Sequence, residues 1–330
     1  MKPPIQFTPL GIRPSPRRPS FKHGIGRFFS IFLLTLLASH CAPKAGGPIT
    51  AYSGKVRVRQ GDFVQEFPIE EYLVGVLARE VSANWPLEAL KAQAVASRTY
   101  AVRRMREAKA AGKSFDLAAD VSHQAYSDAS AVPEGSPFRI AVEQTQGEIL
   151  CDGLGYPIEA AFHSTCGGRT ESAAAVWTRD LPYLQSVECN WCGDSPHFFW
   201  QMDFEESELL AVLRTLGVRG NSLHKFEVTS RTSSGRASVL AVVTDVGEYE
   251  IQAKDLREAI GDMRLKSLLF QVSSEEGGLT HILGSGFGHG VGMCQWGAKG
   301  LALEGAGYKK ILRTYYPSAK PCRIGVPAPS

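Results

Sequence analysis

The chain has 330 residues, 44% hydrophobic and 21% charged, which is enough apolar content to bury a full core as one large domain or two small ones. Its formal charge of +3 sits at one end: residues 1–40 hold six basic side chains and no acidic one, leaving 30 basic against 33 acidic residues, or −3, in the remainder. A basic domain built to grip nucleic acid is therefore disfavoured.

Residues 1–40 divide into a Pro/Arg-rich start and the apolar run Phe28 to Ala38, broken only by Ser30 and Thr35. The run is too short for a comfortable membrane span and reads as the signal peptide of an exported protein, bound for the periplasm or cell envelope. Ala38-Ser39-His40-Cys41 resembles a bacterial lipobox, in which a lipidated Cys41 would anchor the chain to the membrane; His40 departs from the small residue expected there. Lipidation, ordinary cleavage near Ala42 to Ala45 and an uncleaved anchor all stay open.

Residues 41–50 form a small Gly/Pro-containing linker, and the folded domain is expected over residues 51–325, with 326–330 as a tail. Alternation at Lys55 to Arg59, then Gly61-Asp62 and Phe63 to Pro68, predicts a β-hairpin. Two helices follow, joined by a short turn. In the first, Leu73 and Leu77 recur at i and i+4, and Glu80 falls three residues on along the same stripe. Burial there would disfavour the charged carboxylate and raise its pKa, so Glu80 is the candidate general acid. The alternative is a helix-end glutamate that turns to solvent or pairs with an arginine. Asn84-Trp85-Pro86 restarts the helical pattern, and the second helix carries Leu87, Leu90, Ala94, Ala101 and Met105 inward. Gln93, Arg98 and Tyr100 are its polar candidates.

Gly112-Lys113-Ser114 mimics the end of a phosphate-binding loop, but Glu107 stands where the required glycine would be, so a nucleotide site is rejected. Asp120 to Asp128 mixes His123, Gln124 and Tyr126, amide and aromatic chemistry that suits sugar hydroxyls and CH faces. Strands are expected at Glu148 to Leu150 and at Ile158 to Phe162. Two paired-ligand turns come next, H-x-x-C at His163 and Cys166 and C-x-x-C at Cys189 and Cys192. Such spacings let each turn bite a tetrahedral Zn2+ twice, predicting one structural zinc with His197 as a reserve ligand. A Cys189–Cys192 disulfide with Cys166 free, or a redox pair, are the alternatives; no thioredoxin-like pattern surrounds them.

Residues 200–275 change texture, with alternating strand and helix patterns, and read as a small inserted α+β subdomain. The closing motif, Gly284 to Ala298, has glycine at every second position, which would line one face of an extended segment and let a backbone or polysaccharide approach. His289 and Gln295 are its polar members. No G-x-G-x-x-G dinucleotide pattern is present in that run.

Taken together, E-x-x-x-x-W-x-x-E-A-L-K-A-Q-A-V-A-x-R-T-Y from Glu80 to Tyr100, D-x-x-x-Q-x-Y ending at Tyr126, G-H-G-V-G-M-x-Q-W-G-A from Gly288, and YKKILRTYYP from Tyr308 resemble the stage II sporulation protein D (SpoIID) family and its amidase-enhancer relatives. The resemblance implies an α+β, SpoIID-like catalytic domain acting as a peptidoglycan lytic transglycosylase, a lyase of the cell wall, with Glu80 as catalytic acid. It also implies that Gln93, Arg98, Tyr100, Gln124, Tyr126, His289 and Gln295 bind substrate. Some members carry zinc at a segment equivalent to His163 to Gly168. The expected partners are peptidoglycan glycan strands, with stem peptides removed in sporulation members, and a cell-wall amidase in the non-catalytic, enhancer-like alternative. A zinc amidase is the weaker third reading, since thiolates close a site against an activated water.

Overall fold

The computed structural model describes residues 54–118, 126–274 and 278–324. The expected signal peptide, the 41–50 linker, Cys41, Gln124 and the 326–330 tail lie outside the described residues. In chain order the elements are β1 (Lys55–Gln60), β2 (Phe63–Pro68), α1 (Ile69–Glu80), α2 (Leu87–Ala110), β3 (Leu117–Ala118), α3 (Pro137–Gln144), β4 (Glu148–Cys151), β5 (Phe162–His163), α4 (Ala173–Trp177), β6 (Trp200–Glu205), α5 (Glu206–Thr215), β7 (Leu223–Arg231), β8 (Ala237–Thr244), β9 (Gly247–Gln252), α6 (Ala253–Ile260), β10 (Phe270–Ser274), β11 (Leu279–Gly284), β12 (Met293–Cys294), α7 (Gln295–Leu303), α8 (Tyr308–Tyr315) and β13 (Lys320–Arg323). The described chain is thus mixed α and β, with several small sheets rather than one large one.

The expected hairpin is present, β1 pairing antiparallel with β2 from Lys55–Pro68 to Gln60–Phe63. It feeds α1, whose first turn carries Glu70 and Glu71, where the positive end of the helix dipole favours carboxylates. The helix stops where Val81 turns extended. α2 is buried on nearly every side from Ala89 to Val102. A one-sided apolar stripe would not bury a helix in this way. Its small residues let it stand between two cores: Ala92, Val95 and Ala96 face one built with α7 and α8, while Leu90, Ala94, Ala101 and Val102 face the other, built with β1 and α1.

Central placement explains Arg98. The resemblance implied a substrate ligand, but the side chain is 0% exposed. Its Nη2 and Nε donate to the Glu70 carboxylate at 2.6 and 3.1 Å, Nη1 to the Glu148 carbonyl at 3.2 Å, and Nη2 also to the Val142 carbonyl at 3.2 Å. One guanidinium thus ties the start of α1 to α3 and β4. Removing one partner of a buried pair typically costs roughly 3–5 kcal/mol because the rest stays buried and unpaired. Arg98→Met should lose that much in denaturant unfolding; a loss under about 1 kcal/mol would show that the pairing is not structural.

A second tie is covalent: Cys151 of β4 and Cys322 of β13 form a disulfide across that antiparallel pair, with Cα atoms 6.0 Å apart. A third core gathers side chains from Trp200 to Ile282, built by β6, β10 and β11, the β7–β8–β9 meander, α5 and α6. The helices and strands expected between 200 and 275 are all found, while the strand expected at Ile158 to Phe162 shrinks to Phe162–His163, paired in parallel with β12.

Candidate functional site

Glu80 is the last residue of α1 and is half-buried rather than enclosed in the core, a correction to the expectation of a buried acid. On a helix it shares a face with Tyr72 and Val76, at i−8 and i−4, and stands at the edge of the leucine stripe. Gln295, the first residue of α7 and itself only 5% exposed, donates from Nε2 to Glu80 Oε2 at 3.1 Å. Two motifs 215 positions apart are thereby joined through one hydrogen bond.

Trp296 directly follows Gln295, and Trp85 lies five residues after Glu80. Trp85 and Trp296 meet edge to face, with ring centroids 5.4 Å apart, and the Lys299 ammonium sits 4.2 Å from the Trp296 ring and 5.8 Å from that of Trp85. Half-buried indoles with a cation over them suit sugar CH faces and polar substituents. Both tryptophans belong to the recognised motifs, but local pattern does not mark them as site residues, because a tryptophan in a motif reads equally well as core.

The remaining α2 candidates sit elsewhere. Gln93 is 2% exposed; its Nε2 donates to Ser97 at 3.0 Å and its Oε1 is enclosed without a partner. Tyr100 is half-buried beneath the Arg104 guanidinium, 4.6 Å from its ring, and burial pushes the phenol pKa up. Arg104 is held in turn by Glu107 and Glu159. Tyr126 does border open space: with Gln60, Gln65, Phe67, Ser127 and Asp128 it lines a cavity of about 430 Å³. Its ring stacks on buried Tyr72 at 5.3 Å. Burial, with Tyr100, Glu80 and Tyr126 nearby, pushes the Tyr72 phenol up, placing this tyrosine among three of the expected residues.

The glycine-rich motif behaves differently from a flat extended ribbon. Gly290 and Gly292 have φ of 83° and 75°, and a Cβ on Gly292 would lie 2.0 Å from the Ala161 carbonyl oxygen. A left-handed backbone and the close approach of this chain's own β5 segment demand glycine there, so the bare face receives protein rather than polysaccharide. His289 serves the same packing. Its Nε2–H donates to the Phe162 carbonyl at 3.1 Å, and its Nδ1 accepts from the Val291 amide at 3.0 Å. With both nitrogens bonded to backbone and the ring walled by His163 and Trp177, each 5.5 Å away, it is not placed to bond substrate.

Burial pushes the His289 pKa down to about 4. An unfolded histidine titrates near 6.5, so between about pH 6.5 and 4 the unfolded chain takes up a proton that the folded ring refuses. This contribution to stability is full above about pH 6.5 and is lost as the pH falls toward 4. Between about pH 7 and 5, thermal or urea unfolding of the wild type should lose roughly 2 kcal/mol more than His289→Gln. Parallel pH profiles for the two proteins would refute a neutral, desolvated ring.

The paired-ligand turns do converge, with one substitution in the expected set. Cys166, Cys189 and Cys192 are joined by Cys294, all four sulfurs lying within 4.8 Å of one another and all four side chains buried. His163 is turned away: its Nδ1–H donates to the Val291 carbonyl at 3.1 Å, while its Nε2 is buried without a partner and burial holds its pKa well below the usual range. His197, the reserve ligand, packs on Phe287, its ring centroid 4.8 Å away. The β5–β12 pairing sets Cys294 opposite His163 in register, and it is the cysteine, not the histidine, that reaches the cluster.

Donors already surround the sulfurs. The amides of Cys166 and Gly297 donate to Cys294 Sγ at 3.2 and 3.3 Å, and Tyr315 Oη contacts Cys189 Sγ at 3.1 Å. Cys166 and Cys192 sulfurs are 3.5 Å apart, close to the roughly 3.8 Å that tetrahedral Zn2+ with bonds of about 2.3 Å imposes. The donor set therefore fits a closed, four-thiolate metal site. Cys294 also caps α7, and the next residue is Gln295, so the cluster and Glu80 are linked by adjacent residues.

A family model described as stage II sporulation protein matches residues 59–151, and a model of a domain of unknown function matches residues 184–292. Over 265 residues the chain is 36% identical to the stage II sporulation protein D of Bacillus amyloliquefaciens, covering 77% of this chain and 74% of that protein. The chain belongs to the stage II sporulation protein D family. It is also similar to the amidase enhancer of Bacillus subtilis, at 29% identity over 74% of this chain but 39% of that protein. An uncharacterized protein of Brachyspira hyodysenteriae is 35% identical over 77% of this chain and 66% of its own length. Within this member of the family, Glu80 and Trp85 fall in the sporulation-protein match, whereas Cys294, Gln295 and Trp296 lie just beyond the second.

Proposed function

We propose that this member of the stage II sporulation protein D family is an exported peptidoglycan lytic transglycosylase with Glu80 as its single acid and base. The observation that carries the reading is the contact of Gln295 Nε2 with Glu80 Oε2 at 3.1 Å, which brings the second motif onto the first beside a tryptophan pair. Glu80 would give its proton to the glycosidic oxygen as the bond from muramyl C1 to that oxygen breaks. It would then take the proton from the muramyl C6 hydroxyl as that oxygen bonds to C1, leaving a 1,6-anhydro end and a regenerated acid. Because the sugar supplies its own nucleophile, one carboxyl serves where hydrolases use two. Mass spectrometry of purified glycan digested with wild type and Glu80→Gln tests this.

The four cysteines are read as a structural Zn2+ site that fixes the start of α7, and so Gln295 and Trp296, against Glu80. Four thiolates leave no open coordination position, which speaks against a zinc amidase. The Cys151–Cys322 disulfide suits an oxidising compartment and supports export to the periplasm or cell envelope; lipidation at Cys41 stays a proposal. The third core is read as an inserted subdomain over about residues 200–275 of a 51–325 domain.

A second reading is favoured by the similarity to a protein named amidase enhancer. On it, the same surface would hold glycan and recruit a cell-wall amidase without cutting.

A further inference from the structure

The turn joining β7 to β8 leaves the third core and ends against the four cysteines. Arg236, at its end, is 3% exposed. Its Nη2 donates to the Cys166 carbonyl at 2.8 Å, and its Nη1 to the Arg169 carbonyl at 3.1 Å and the Ser234 hydroxyl at 2.9 Å. Its Nε–H is buried with no acceptor. The glycine motif makes room for it: a Cβ on Gly290 would lie 2.5 Å from Nη2.

Beyond the Cys166 carbonyl that it grips, the guanidinium is within electrostatic reach of Glu171, Cys166 and Cys294. Glu171, 1% exposed, directs its oxygens elsewhere, accepting from the Thr232 and Ser234 hydroxyls at 2.5 and 2.7 Å and from the Ser172 amide at 2.8 Å. A buried guanidinium bonded chiefly to neutral carbonyls is poorly compensated for its lost hydration. Four thiolates around one Zn2+ carry two excess negative charges, which in a buried site are equally costly without a nearby cation.

We propose that Arg236 is the fixed counter-charge of the four-cysteine centre, and that the β7–β8 turn docks there to retain the metal. The proposal rests on the zinc reading above. Outer partners of metal ligands typically contribute about 10–100-fold in metal affinity.

The test is a chelator competition on the zinc-loaded full chain, followed with a chromogenic chelator. Arg236→Met keeps bulk but removes charge and should release zinc about 10–100-fold more readily, while Arg236→Lys should recover most of the retention. Equal retention by wild type and Arg236→Met overturns the proposal, as does equal loss from the Met and Lys variants. If Arg236 merely offsets Glu171, the double variant Glu171→Gln/Arg236→Met should hold zinc like the wild type, and that result overturns it too. A readout without substitution guards against a variant that cannot fold. Stripping zinc from the wild type should speed hydrogen exchange at the Thr232 and Gly235 amides, which close this turn on the Arg236 and Thr232 carbonyls; unchanged exchange overturns the proposal. A wild type that binds no zinc removes the metal reading and this one together, whereas failure confined to the Arg236 comparisons leaves the metal reading intact.

Discussion

Glu80→Gln should leave peptide-free glycan strands uncut by a factor of about 10²–10⁴ relative to wild type, the span that loss of general acid catalysis commonly produces. The substitution keeps the size of the side chain and lets the Gln295 amide still donate to an oxygen at the same position, so the fold and the α1–α7 contact should survive. Wild-type digests should end in 1,6-anhydromuramyl sugar. A reducing end in its place would mean that water attacks, and a second carboxylate should then be sought around the tryptophan pair. If wild type and variant both bind glycan and neither cuts it, the transglycosylase reading falls and the amidase-enhancer reading takes its place. Trp296 is the natural companion experiment: its loss should weaken glycan binding without abolishing the proton transfer that Glu80 supplies.

Protein purified without chelator should carry about one zinc per chain, and removing that metal should cost more stability than any single core substitution. Apparent binding energies of structural zinc sites run about 10–16 kcal/mol in small domains, and here the ligands come from three separate segments of the chain, so folding and metal uptake are coupled. Cys294→Ser is the sharpest probe, because it removes both a ligand and the sulfur that accepts from the Gly297 amide at the start of α7. Thermal unfolding should shift down strongly, and any effect on glycan cleavage should follow from displacement of Gln295 rather than from altered chemistry at Glu80. His163→Ala should retain the zinc, since that ring is turned to the Val291 carbonyl. Finding no metal, together with a Cys189–Cys192 disulfide by peptide mapping, would overturn the site. Finding zinc lost on His163→Ala would overturn the ligand set.

The order of elements was legible from local pattern. Alternation marked the β1–β2 hairpin, the leucine spacing marked α1, and the runs between 200 and 275 matched β7, β8, β9, α5 and α6, because these features depend on neighbours a few residues away. The motifs also led to Glu80, Gln295 and three of the four cysteines. What local pattern could not supply was which polar residues would be used up by packing. Gln93, Arg98 and His289 stand within recognised motifs, but the central position of α2 and the left-handed glycine segment enclose them, and their hydrogen bonds go to this chain's own Ser97, Glu70 and backbone carbonyls. The fourth thiol was decided the same way. An H-x-x-C spacing permits two ligands from one turn, yet a histidine's direction depends on what its nitrogens meet. The Val291 carbonyl captures His163, while a parallel pairing of Cys294 with His163, 131 positions apart, delivers Cys294 in its place. Residue types and spacings are properties of the chain alone. The burial and orientation that turn them into a site arise from contacts between segments far apart in sequence, and only the tertiary structure holds those.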